Sequence, residues 1–75
     1  MVTVLRLHGL RFVIYTADHE PPHVHVYGNG EARISILTSQ VITQGGLSDR
    51  DVRLAARVVD DHRPLLLEIW RKYHG

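Results

Sequence analysis

The chain has 75 residues, 44% of them hydrophobic and none of them cysteine, and nine Lys+Arg against eight Asp+Glu leave a formal net charge of +1. These figures describe one small domain, residues 1–75, near the size at which a single core is only marginally self-sufficient. They exclude a disulfide framework, a thiolate metal site and nucleic-acid binding driven by bulk charge.

Val2–Leu7 and Leu10–Tyr15 are β-rich runs separated by His8-Gly9, which predicts a tight hairpin turn. His23–Tyr27 is a third run, ended by Gly28-Asn29-Gly30, residue types that supply positive φ readily. Ala32–Leu37 is a fourth, with Ile34 and Ile36 on one face and Arg33 and Ser35 on the other. Thr38–Gly46 is ambiguous, and Val41-Ile42 reads either as a short edge strand or as a packed loop.

Ser48 followed by Asp51 reads as a helix cap, and Val52, Ala55, Ala56 and Val59 then recur at helical spacing opposite Arg50, Arg53 and Arg57. Pro64 suits the first turn of a second helix starting at Asp61 or Arg63, whose apolar stripe is Leu65, Leu66, Ile69, Trp70 and Tyr73. The predicted fold is α+β: an antiparallel four-stranded β-meander followed by two C-terminal α-helices packed on one sheet face, ββββαα. No apolar run approaches the roughly 20 residues of a membrane span and no signal peptide is read at the N-terminus, so a soluble, cytoplasmic protein is expected.

The stretch Asp18-His19-Glu20-Pro21-Pro22-His23-Val24-His25-Val26 carries three of the six histidines. Strand alternation puts His23 and His25 on one face and Val24 and Val26 on the other, with the valines expected under the helices. The double proline makes a stiff corner, and all X–Pro bonds are expected trans, because an extended lead into a strand needs no tight reversal. Two imidazoles on one strand face suit a proton-handling site, a metal site or a polar contact surface.

The run Glu20-Pro21-Pro22-His23-Val24-His25-Val26, behind Gly9-Leu10-Arg11-Phe12, resembles a group of small bacterial proteins, the domain of unknown function 4160 family. The end Leu66–Tyr73, behind Leu47-Ser48-Asp49, is similar to the terminal helices of that family, so the likeness covers nearly the whole chain. Members are commonly encoded beside another small protein, in an arrangement that looks like a type II toxin–antitoxin module. The resemblance implies a toxin role, with a small cognate antitoxin as partner, and implies no settled reaction.

Three readings of the residues stand side by side. The first is acid–base chemistry on RNA, with His23 or His25 moving a proton, Arg11 or Arg33 holding phosphate, and Tyr15 or Tyr27 stacking a base or donating a proton. The second is a Zn²⁺ site formed by His23 and His25, with His19 or Asp18 as a third ligand. The third is a non-catalytic interaction module in which the histidines sit in a protein–protein contact. Against them stands the bland account, in which Arg33, Tyr27 and the histidines are ordinary polar-face residues bonded to neighbours and water. Trp70 and Tyr73 are expected in the core, and Ser48 is a helix cap rather than a nucleophile.

Overall fold

The computed structural model describes the whole chain, Met1–Gly75. Val2–Leu7 (β1) and Leu10–Ile14 (β2) pair antiparallel about His8-Gly9. Both turn residues have positive φ, 56° and 75°, the backbone that matches a two-residue turn to the right-handed twist of its strands. A shift in register between Thr3 and Leu5 leaves Val4 as an extra residue, and Val4, Leu5 and Leu7 all reach the edge of the core.

His23–Tyr27 (β3), Glu31–Ser35 (β4) and Val41–Gly45 (β5) continue the meander, so the sheet order is β1-β2-β3-β4-β5. The expectation of four strands is therefore corrected to five. Every residue of β5 is exposed, so no side-chain alternation marks it in the sequence. It forms because β4 offers a free edge: Glu31, Ala32 and Arg33 align with Gly45, Gln44 and Thr43. The β3–β4 turn approaches this strand so closely that a Cβ at Gly30 would lie 2.2 Å from the Gly45 carbonyl oxygen. Glycine is needed at 30 for that contact and not for its φ, since no residue of Gly28-Asn29-Gly30 has positive φ.

Asp49–Asp61 (α1) starts where the sequence predicts, with the Ser48 hydroxyl accepting from the Asp51 N–H at 3.1 Å. Arg63–His74 (α2) follows at once, with Pro64 in its first turn. Arg63 ties the junction to the sheet, its Nε donating to the Ile36 carbonyl at 2.8 Å and its Nη2 to Asp60 Oδ1 at 2.8 Å. No helix is long and apolar enough to cross a membrane.

The core lies between the helices and one sheet face. Phe12, Ile14, Val24, Val26, Ile34 and Ile36 meet Ala55, Val59, Leu66 and Trp70, and all ten are essentially inaccessible. Val24 and Val26 thus lie on the helix-covered face, as the strand alternation requires. Tyr73 departs from expectation: it is 42% exposed, while its helix buries Leu66 and Trp70. Glu20–Pro21 is cis, which corrects the all-trans expectation; Asp18–Pro22 folds back as a compact loop and not as an extended lead.

Candidate functional site

The sheet face away from the core carries two rows of side chains in register. One row runs Val13, His25, Arg33, Thr43 from β2 to β5, and the next runs Arg11, Tyr27, Glu31 from β2 to β4. His23 is one step further along β3, opposite Ser35. The predicted residues Arg11, His23, His25, Tyr27 and Arg33 therefore share one face.

At one end of this face the loop before β3 brings Asp18 over the two histidines. His25 Nε2 donates to Asp18 Oδ2 at 2.9 Å. His23 Nε2 lies 3.1 Å from the same oxygen but is out of line for a hydrogen bond, and it is a buried nitrogen with no hydrogen-bond partner. The other His23 nitrogen, Nδ1, donates to the Pro21 carbonyl at 2.9 Å. One donor atom from each of Asp18, His23 and His25 falls within 4.8 Å of the others, the one such convergence of metal-capable groups in the chain. His19 is not part of it. It is exposed and lines a neighbouring groove, so of the two third ligands the sequence offers, the structure places Asp18 there and not His19.

The corner is closed from behind by α2. The Trp70 ring lies 5.5 Å from that of His23 and donates its indole N–H to Glu20 Oε1 at 3.1 Å. His74 stacks on Trp70 at 3.7 Å, with its Nε2 3.1 Å from the Tyr15 carbonyl oxygen. His23 is only 7% exposed as a result, while the His25 and Asp18 side chains keep partial access to solvent.

Further along the face, Tyr15 packs edge-on against His25 with ring centroids 4.6 Å apart, and its hydroxyl lies 2.7 Å from that of Tyr27. This bond, with burial, pushes the Tyr27 hydroxyl up to about 12 and keeps it neutral. Either hydroxyl can donate in this pair, and both side chains line the adjoining cleft. Arg11 lies over the Tyr27 ring, its guanidinium carbon 5.3 Å from the centroid. Arg33 is held by Thr43, Nε to Oγ1 at 3.1 Å.

Two open grooves flank these residues. One, of about 430 Å³, is lined by Tyr15, His25, Tyr27, Glu31, Arg33 and Thr43. The other, of about 340 Å³, is lined by Asp18, His19, Glu20, His23, Arg33 and Ile42. Arg33 borders both.

Comparison with known families places the chain. A family described as Domain of unknown function (DUF4160) matches residues 9–71. The chain belongs to that family. No curated protein and no solved structure matches. The matched span takes in β2 to β5, both helices as far as Arg71, and with them Asp18, His23, His25, Arg33 and Trp70.

Sequence reasoning undervalued Asp18, Glu20, Trp70 and His74. Asp18 precedes the strand by five residues in a loop without periodicity, so nothing in its spacing shows that it turns back over His25. Glu20 and Trp70 are fifty positions apart, and Trp70 reads simply as a core aromatic.

Proposed function

We propose that the open sheet face is a phosphodiester-cleaving site acting on single-stranded RNA, in a protein that serves as the toxin half of a bacterial toxin–antitoxin pair. The observation that carries the reading is the position of Arg33, cross-strand from His25 and shared by two grooves. A guanidinium with a groove on either side suits a phosphate bearing a substituent on each side, a diester within a chain. Both grooves are open, which suits a polymer passing across the face better than an enclosed metabolite.

RNA carries its own nucleophile, the 2′-hydroxyl. Attack on the neighbouring phosphorus forms a 2′,3′-cyclic phosphate and breaks the bond to the 5′-oxygen. The site must accept one proton, hold the phosphoryl oxygens and return a proton to the leaving oxygen. The Asp18–His23–His25 corner stands at the accepting end, Arg33 with Arg11 holds phosphate, and the Tyr15–Tyr27 pair offers a neutral O–H donor. Tyr15 and Tyr27 also present rings against which an unstacked base packs. The near-zero net charge suits a short local contact with the strand rather than a long electrostatic footprint.

The toxin role is supported by the family resemblance, with the partner a small antitoxin encoded alongside. The test is twofold: expression in bacteria with and without the neighbouring gene product, and incubation of purified protein with end-labelled single-stranded RNA. Growth arrest relieved by the neighbour, together with products ending in 2′,3′-cyclic phosphate, is expected. Growth unaffected at high expression and intact RNA would remove the proposal.

A further inference from the structure

We infer that Asp18, His23 and His25 hold a divalent transition-metal ion, with Zn²⁺ the favoured species. The metal site rests on groups of the free protein and stands whether or not RNA is the substrate.

The need for a cation shows first at His23. A carbonyl oxygen only accepts, so the Nδ1 that faces Pro21 carries the hydrogen. In the neutral ring Nε2 is then a bare lone pair. That lone pair is buried, has no hydrogen-bond partner and lies 3.1 Å from a carboxylate oxygen. Two electron-rich atoms facing each other in a desolvated corner repel, and a buried polar atom without a partner costs about 1–3 kcal/mol. An imidazolium would replace the repulsion by an ion pair with Asp18 but would leave its Nε2–H out of line for a hydrogen bond. A cation seated between the three donors resolves both problems at once.

The donor set and its support also fit. Two imidazole nitrogens and one carboxylate oxygen are ligands that zinc accepts, and three protein ligands leave a position open for water, as in catalytic zinc sites. Zn–N and Zn–O bonds of about 2.0–2.1 Å place tetrahedral donors about 3.3 Å apart. The observed 2.9 Å and 3.1 Å from Asp18 Oδ2, with all three donors inside 4.8 Å, need adjustments of a few tenths of an ångström for the two shorter separations and of up to about 1.5 Å for the widest. A ligating histidine commonly donates its second N–H to a carbonyl, fixing ring and tautomer, and His23 already does so to Pro21. Trp70, anchored to Glu20 and stacked on His74, walls the corner from behind and excludes solvent. On binding, the His25 hydrogen moves from Nε2 to Nδ1 as the ion takes Nε2. Asp18 and His23 line one of the two grooves that Arg33 borders and His25 lines the other, so a water on the ion would be near the groove residues of the proposed reaction.

The test is titration of metal-stripped protein with ZnCl2 by calorimetry, with metal content measured by mass spectrometry after desalting. One ion per chain is expected, with a rise in melting temperature on the order of 10 °C at saturating zinc. Asp18→Asn and His25→Gln, both at partly exposed positions, should each weaken binding more than about 100-fold, beyond the effect of losing an outer-shell partner. His19→Gln should bind as the parent does. Ring ¹⁵N shifts of the unaltered protein supply a readout independent of any variant: with zinc, His23 and His25 should both report Nε2 ligation and a protonated Nδ1. The inference is overturned by substoichiometric binding, by unchanged affinity in both variants, or by ring shifts indifferent to zinc. One ion per chain with no RNA cleavage leaves the metal site standing and removes the RNA reading. Cleavage by metal-stripped protein in excess chelator, together with failure to bind zinc, does the reverse.

Discussion

Trp70 donates its indole N–H to Glu20 across 3.1 Å, joining the last helix to the loop that precedes β3, fifty residues earlier in the chain. The same ring is 99% buried and lies 5.5 Å from His23, so one side chain serves both the core and the candidate site. The consequence is a coupling: loosening α2 at its C-terminal end should loosen the Asp18–His23–His25 corner.

Trp70→Phe tests that coupling. The smaller ring retains most of the apolar contact and loses the bond to Glu20, which is exposed and finds water instead. A destabilisation of about 1–2 kcal/mol is expected from the lost hydrogen bond and the lost volume. Urea denaturation should show the loss, and zinc affinity should fall with it. Full zinc affinity in a destabilised Trp70→Phe would show that α2 supports the fold and not the corner.

Strands β1 to β4 and both helices were legible because each buries one face, and burial is what writes periodicity into a sequence. Val24 and Val26 illustrate this: alternation with two histidines is enough to place them under the helices. Strand β5 was legible only as one of two readings of Val41-Ile42, because Val41, Ile42, Thr43, Gln44 and Gly45 are all exposed and only backbone pairing with β4 defines it. In the site, His23 and His25 could be read from their spacing, and Arg11, Tyr27 and Arg33 from their strand parity. Asp18 could not be chosen over His19, since a loop of five residues does not reveal which of its side chains folds inward.

Gly30 provides a sharp check on the β4–β5 edge. A methyl group there would lie 2.2 Å from the Gly45 carbonyl oxygen, with backbone and no flexible side chain to yield. Gly30→Ala should cost about 1–3 kcal/mol through overpacking. Gly45→Ala, at a position open to solvent, should cost far less. Equal melting temperatures for the two variants would contradict the observed approach of the β3–β4 turn to β5.

The Tyr15–Tyr27 pair predicts a pH dependence at the alkaline end. The Tyr27 hydroxyl is raised from 10.0 to about 12, chiefly by its bond to Tyr15. Because the folded-state value is raised, the stabilisation is fully present below the unfolded value and is lost as pH climbs from about 10 through about 12. Tyr15→Phe removes the largest cause, so Tyr27 should ionise at lower pH, and stability should fall less steeply across that window. Ultraviolet titration of phenolate absorbance, compared between the two proteins, measures the shift. No change in the titration would mean that the hydroxyl bond is not what holds the proton on Tyr27.

Arg33 separates substrate handling from both folding and metal binding. Arg33 is an exposed residue of β4, with Thr43 as its one hydrogen-bonded partner, so Arg33→Gln should change stability by no more than about 0.5 kcal/mol. It is not among the three groups that converge on the metal corner, so zinc stoichiometry should be unchanged. If the guanidinium holds the phosphoryl oxygens as charge develops on them, RNA cleavage should drop by about 10²–10³-fold, the usual effect of removing one such donor. Arg33→Lys keeps the charge but loses the planar fork and the bond to Thr43, and should recover only part of that loss. Rates of RNA cleavage for the three proteins at saturating zinc decide the matter. Full activity in Arg33→Gln would mean that the residue shared by the two grooves does not touch the scissile phosphate, and the RNA reading would lose the observation that carries it.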